Sequence, residues 1–181
     1  MNGQDEYIHT LYEEYFDDVY HYLLYFTNSK TDAEDLTQDT FIKVLKNYDS
    51  FRQESSMKTW ILSIARRTAI DHYRRKKLIS ILPSILSDIS KSKDFFPEAE
   101  MDHCEDWAIL QKALLTLKPD YRNVVILRGL KEFSIKETAE VLNWKESKVK
   151  TDYHRAIKLL KESLSKSNEG VVIFNEQRSA R

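Results

Sequence analysis

Apolar side chains return every three or four residues along most of this chain, and that period constrains its fold more than any other feature. Ile8, Leu11, Tyr12, Tyr15, Val19, Tyr22, Leu23 and Phe26 follow it through residues 6–26. This is the repeat of an amphipathic helix, not the alternation of a half-buried strand. Three glycines in 181 residues are too few for a turn-dense β fold or a Gly-rich phosphate loop. A hydrophobic content of 41% can fill real cores. The single Cys104 forbids an intramolecular disulfide and a four-cysteine zinc site, and it fits a reducing cytoplasm. There is no apolar run of about 18 residues, and MNGQDEYIHT lacks the features of a signal peptide. The expectation is a cytoplasmic, all-α protein.

Charge is distributed in blocks. The net charge of −1 resolves into −8 over residues 1–50, +6 over 51–77, −5 over 78–107, +6 over 108–166 and zero beyond. One such block could be an ordinary solvated helix face. Two basic blocks flanking an acidic connector instead point to two surfaces for a polyanion, with the acidic blocks meeting something basic.

The period divides the chain into two small helical domains. After the first helix, Asn28-Ser29-Lys30 forms a break. Thr31-Asp32-Ala33-Glu34 has the form of a capping box. The second helix then buries Ala33, Leu36, Thr40, Val44, Leu45 and Tyr48 and exposes Asp35, Gln38, Asp39, Ile42, Lys43 and Lys46. Asp49–Ser56 reads as a loop, and Ser56 caps a third helix from Met57 to about Lys77. That helix has Trp60, Ile61, Ile64, Ala65 and Thr68 inward and six basic residues on its later turns. Residues 1–77 make the first domain. Residues 78–104, with Pro83, Pro97 and five serines, read as a flexible acidic linker with a short helical turn near Ile79–Leu86. Residues 105–165 are helical again, with breaks before Pro119 and near Gly129, and 166–181 form a frayed tail.

Residues 134–164 read as a helix-turn-helix. Ser134-Ile135-Lys136-Glu137 is a capping box, Ala139 permits close helix approach, Asn143 tolerates a left-handed turn and Val149 anchors the second helix. The exposed side then carries Ser147, Lys148, Lys150, Thr151, His154, Arg155 and Lys158, side chains suited to phosphates and base edges. A plain helical hairpin is the alternative, and the basic, small-polar surface weighs against it. In the first domain, Arg52, Lys58, Thr59, Arg66, Arg67, Arg74 and Arg75 lie among Tyr48, Phe51, Trp60 and Tyr73. Such a mixture suits a single strand, with cations on the backbone and aromatics for bases, although Trp60 reads better as core. Fully extended, 27 linker residues reach about 90 Å. Two turns of duplex span roughly 70 Å, so one chain could meet two sites on one face of DNA.

The segments DAEDLTQDTFIKVLKNYDSF (32–51), MKTWILSIARRTAIDHYRRKK (57–77) and LKPDYRNVVILRGLKEFSIKETAEVLNWKESKVKTDYHRAIKLLKESL (117–164) resemble, in order, bacterial RNA polymerase sigma factors, and most of all the extracytoplasmic-function class with its two core domains. The resemblance implies a region 2 bundle and a region 4 helix-turn-helix domain. It implies docking on core RNA polymerase through Asp35, Leu36, Gln38, Asp39 and Phe41. It implies minus-ten binding of duplex and melted promoter DNA through the loop 49–56 and Arg52, Lys58, Thr59, Arg66, Arg67, Arg74 and Arg75. Minus-thirty-five reading would fall to Ser147, Lys148, Lys150, Thr151, His154 and Arg155. The acidic block 88–106 would thread the polymerase's RNA channel, and an anti-sigma factor would mask the basic surfaces. The family often has a basic residue where this chain has Asp152, an acid that could accept from a cytosine amino group or repel phosphate.

The implied function is transcription initiation: binding core polymerase, directing it to particular promoters and assisting melting in a stress or envelope response. The rival is a free-standing helix-turn-helix regulator whose first domain senses or dimerises. An enzyme has little support, because His9, His21, His72, His103 and His154 are scattered and no nucleophile–base spacing appears. No cofactor and no metal are expected, and the neighbours His103 and Cys104 in a polar linker do not by themselves make a metal site.

Overall fold

The computed structural model describes residues 3–81 and 105–166, and among these there are helices and no strand. In order they are α1 (Gly3–Thr27), α2 (Lys30–Asn47), a 3-10 turn (Tyr48–Ser50), α3 (Met57–Ile81), α4 (Glu105–Thr116), α5 (Pro119–Val125), a π turn (Ile126–Leu130), α6 (Ile135–Leu142) and α7 (Glu146–Lys166). The linker from 82, with Pro83, Pro97, His103, Cys104 and most of the acidic block, lies outside the described residues, as does the tail from 167.

Helices α1, α2 and α3 pack together around Val19, Tyr22, Leu23, Phe26, Ala33, Leu36, Ile61 and Ala65, all buried. Asn28, at φ 56°, reverses the chain between α1 and α2. The α2 cap differs from the expected one. Ser29, extended at φ −144° and ψ 122°, accepts from the Asp32 N–H at 3.2 Å, so Thr31 lies inside the helix. Two hydroxyl residues, separated by Lys30, compete for that role, and the extended one wins because a cap must leave the helical region. The buried face of α2 also shifts: Thr37 and Phe41 are inside, while Leu45 is exposed. The hydroxyls of Thr37 and Thr40 donate to the carbonyls of Ala33 and Leu36, which lets them sit in the core. Ser56 caps α3 as expected, its Oγ accepting from the Thr59 N–H at 3.1 Å. That helix runs on past Lys77 to Ile81, because no helix-breaking residue occurs before Pro83.

Helices α4 to α7 enclose Leu110, Leu114, Val124, Leu127, Leu142, Val149, Ala156 and Leu160. Pro119 opens α5, where its missing N–H costs nothing. In the π turn the Lys131 N–H reaches back to the Ile126 carbonyl at 2.9 Å, and the Phe133 N–H to Leu127 at 2.9 Å.

The two bundles are in contact. α1 packs against α4 and the π turn, and α3 packs against α6. Polar groups pair across this seam, although Asn123 Nδ2 is buried without a hydrogen-bond partner. The Tyr22 hydroxyl, fully buried, donates to Asn123 Oδ1 at 2.6 Å, and burial pushes its pKa up. The Arg122 guanidinium donates to the carbonyls of Phe26 (2.7 Å), Leu114 (3.0 Å), Leu115 (2.9 Å) and Leu117 (3.2 Å), and it lies over the rings of Phe26 and Tyr73. Asp18 pairs with Lys58 of α3 at 2.6 Å and with Lys131 beyond the π turn. Burial alone would raise its pKa, but the two ammonium groups outweigh that and hold it below the ordinary value. The two modules expected from the sequence therefore share an interface.

Candidate nucleic-acid interface

The outer face of α2 follows from its period. Asp35, Gln38, Asp39 and Ile42, spaced three, four and seven apart, are all exposed. Leu36 and Phe41, grouped with them from the resemblance, are 4% and 7% exposed and belong to the core. They can set the helix that carries the acidic row, but they offer little surface themselves. At the start of α2, Asp32 binds Lys76 at 2.6 Å and lies 3.4 Å from His72, pinning the helix to the late turns of α3. Burial would raise the Asp32 pKa, and the Lys76 and His72 contacts override it, so the carboxyl stays below its usual range.

On α3 and its preceding loop the seven basic-surface candidates separate into groups. Arg52, Arg67, Arg74 and Arg75 are exposed. Arg67 is braced by its own helix, its Nε and Nη2 reaching the Ser63 carbonyl and hydroxyl at 3.2 Å each. Arg66 is half-buried, with a buried Nε that has no hydrogen-bond partner. Lys58 is engaged at the seam, bound to Asp18 and 5.6 Å from the Phe133 ring centroid. Thr59 is 2% exposed with its hydroxyl against Ser56 at 2.8 Å, so it is a capping and core residue and not a surface contact. Phe51 packs on Trp60 with ring centroids 5.1 Å apart, which keeps Trp60 half-buried.

Sequence reasoning missed a cavity of about 280 Å³ between α2 and α3, lined by Lys43, Asn47, Ser50, Trp60, Ile64, Arg67, Thr68 and Asp71. Lys43 reaches across it to the Thr68 hydroxyl at 2.9 Å. An aromatic wall with amide, hydroxyl and cationic rims can accept a planar, hydrogen-bonding group. Lys43 was visible as a polar position on α2, but its juxtaposition with α3 was not.

The helix-turn-helix forms as read. Ser134 and Glu137 complete a reciprocal cap, which holds the Glu137 carboxyl below its ordinary pKa. Asn143 is left-handed at φ 53° and ψ 50°, Ala139 is buried at the crossing and Val149 is fully buried. Ser147, Lys148, Lys150, Thr151, His154 and Arg155 are all exposed on α7. Asp152, between them in sequence, is buried and paired with Lys148.

A basic helix-turn-helix domain joined to a bundle with an acidic outer row and a basic helix defines the sigma type of transcription initiation factor. Comparison with known families agrees: the Sigma-70 region 2 family matches residues 11–79, and Sigma-70, region 4 matches 107–160. The ECF RNA polymerase sigma factor SigX of Bacillus subtilis is 38% identical over 164 residues, covering 88% of this chain and 84% of that protein. The B. subtilis RNA polymerase sigma factor YlaC is 38% identical over 168 residues, covering 90% and 94%. Among solved structures, the sigma factor RpoE in complex with the anti-sigma factor NepR from Bartonella quintana superposes with a TM-score of 0.69 at 26% identity, covering 86% of this chain and 97% of that one. The chain belongs to the extracytoplasmic-function class of RNA polymerase sigma factors. Sigma factors are initiation factors without enzymatic activity of their own, and the free-standing regulator is not favoured. No helix among the described residues is long and apolar enough to cross a membrane.

Proposed function

We propose that this chain acts in the cytoplasm, by binding energy alone, to bring core RNA polymerase to a narrow set of promoters in a stress or envelope response. Residues 1–77, with the last turn of α3, form the module that docks on polymerase through Asp35, Gln38 and Asp39, with Ile42 beside them. The same module holds the minus-ten element on Arg52, Arg67, Arg74 and Arg75, with the α2–α3 cavity beside Arg67 able to take a flipped base. Residues 105–165 read the minus-thirty-five element through α7, and the intervening acidic linker follows the polymerase's RNA channel. A partner of the anti-sigma kind covers the basic surfaces, in keeping with the complex formed by the relative RpoE.

The observation that supports this reading most is segregation of charge: exposed cations occupy α3 and α7 while the outer row of α2 is acidic, in a chain of net charge −1. Run-off transcription with purified core polymerase and a promoter library tests it. Promoter-specific transcripts that need both chain and core are the expected result. A footprint on duplex DNA by the chain alone, with no dependence on core, would replace it with a regulator.

A further inference from the structure

An acid on a DNA-facing helix opposes phosphate, yet Asp152 lies between Lys148 and Arg155 on α7. Its carboxylate is not presented outward, the residue being 8% exposed. One oxygen is bound by the Lys148 ammonium, four residues earlier, and the other lies 3.9 Å from Arg155 Nη1. The Lys148 Nζ also sits 3.3 Å from the centroid of the Trp144 ring. Trp144 comes from the turn, so Lys148 is held between a ring face supplied by the turn and an anion supplied by its own helix.

A free surface lysine samples many rotamers and serves phosphate as a mobile point charge. Lys148 is drawn away from that role: the Asp152 carboxylate opposes its charge, and two of the directions open to its three N–H donors are taken by the carboxylate and the ring. The side chain is still 44% exposed, so what remains is a donor with a fixed direction. That is poorly matched to a phosphate and well matched to the acceptor edge of a base such as guanine.

We propose that Asp152 and Trp144 are positioning residues that turn Lys148 from a phosphate binder into a base-reading, specificity-determining contact for the upstream promoter element. Asp152 at the same time offsets cationic charge on α7 and lowers affinity for unrelated duplex. This inference rests on the upstream reading proposed above.

The test uses holoenzyme assembled from core polymerase and the full chain, titrated at several salt concentrations against promoters varied one base at a time in the upstream element. Asp152→Asn should reduce discrimination at one base position by about tenfold and raise binding to scrambled upstream duplex by about threefold. It should also steepen the salt slope by about 0.9 as the released Lys148 takes up a phosphate. Lys148→Ala, at an exposed helical position, should erase discrimination at that same position without steepening the slope, and it carries the test if Asp152→Asn unfolds α7. Uniform weakening on every sequence with an unchanged slope would make Asp152 merely structural and overturn the proposal, as would unchanged discrimination in Lys148→Ala. Lys150→Ala combined with Arg155→Ala separates the two levels. If it weakens upstream binding while the Asp152 and Lys148 variants leave discrimination intact, only this inference fails. If it too has no effect, the upstream reading fails with it.

Discussion

Replacing Arg122 by methionine tests how the two bundles are held together. Arg122 is 4% exposed, and its guanidinium donates to four carbonyls, three near the end of α4 and one, on Phe26, across the seam. Methionine keeps much of the stem's packing but none of these bonds. The Leu114 carbonyl retains the Leu117 N–H at 3.1 Å and the Leu115 contact is only part-buried, so the loss falls mainly on Phe26 and Leu117. Each buried carbonyl left without a donor costs about 1–3 kcal/mol, partly offset because a charge no longer has to be buried. A net loss of about 3 kcal/mol follows, and at about 2–4 °C per kcal/mol for a protein of this size the midpoint should fall by about 6–12 °C. Thermal unfolding followed by circular dichroism, with tryptophan fluorescence as a second probe, measures it. A fall below about 2 °C would refute the reasoning, since water would then serve those carbonyls as well as the arginine does.

Three further outcomes are expected. Reversing charge with Asp35→Lys and Asp39→Lys should weaken core polymerase binding at least about tenfold, or roughly 1.4 kcal/mol, with no change in unfolding midpoint, because both residues are exposed; gel filtration and anisotropy with labelled protein check this. The folded-state pKa values of Asp18 and Asp32 are depressed, so the stability they contribute is present above the ordinary carboxylate value of 3.8 and is lost as pH falls through the lower folded values. Asp18→Asn should therefore cost about 1 kcal/mol at neutral pH and flatten the acid limb of denaturant midpoints measured below about pH 4, and an unchanged limb would count against the pairing with Lys58 and Lys131. Neutralising Arg74 and Arg75 together should lower the salt slope of open-complex formation by about 1.4, two single-strand phosphates' worth, when promoter opening is followed by a base-reactivity footprint.

The helices and the helix-turn-helix were legible because each depends on short-range information: a period, a capping pair, an asparagine where φ must turn positive. The same holds for the exposed row of α7. The choice between Ser29 and Thr31 was not legible, since it turns on which of the two is extended; the continuation of α3 to Ile81 could have been read from the lack of a helix breaker before Pro83. The seam was hidden for a different reason. Tyr22 and Asn123 are 101 positions apart, Arg122 and Phe26 are 96 apart, and a helical period reports only that a face is covered, not by what. The signal was nevertheless present in Arg122-Asn123, a polar pair inside the apolar row Tyr121, Val124, Val125 and Leu127. The pairing of Lys58 with Asp18 was hidden for the same reason, whereas the burial of Thr59 against Ser56, three positions away, is local.

The bond between Tyr22 and Asn123 bears on how such proteins can be rebuilt. Chimeras that graft the upstream-reading half of one paralogue onto another assume that the halves are independent cassettes. Here a transplanted half lacking an acceptor at the Asn123 position would strand a phenol in the dry interior of its new host. Successful shuffling of this chain should thus require exchanging Tyr22 along with the graft, or crossing over only between paralogues that share the pair.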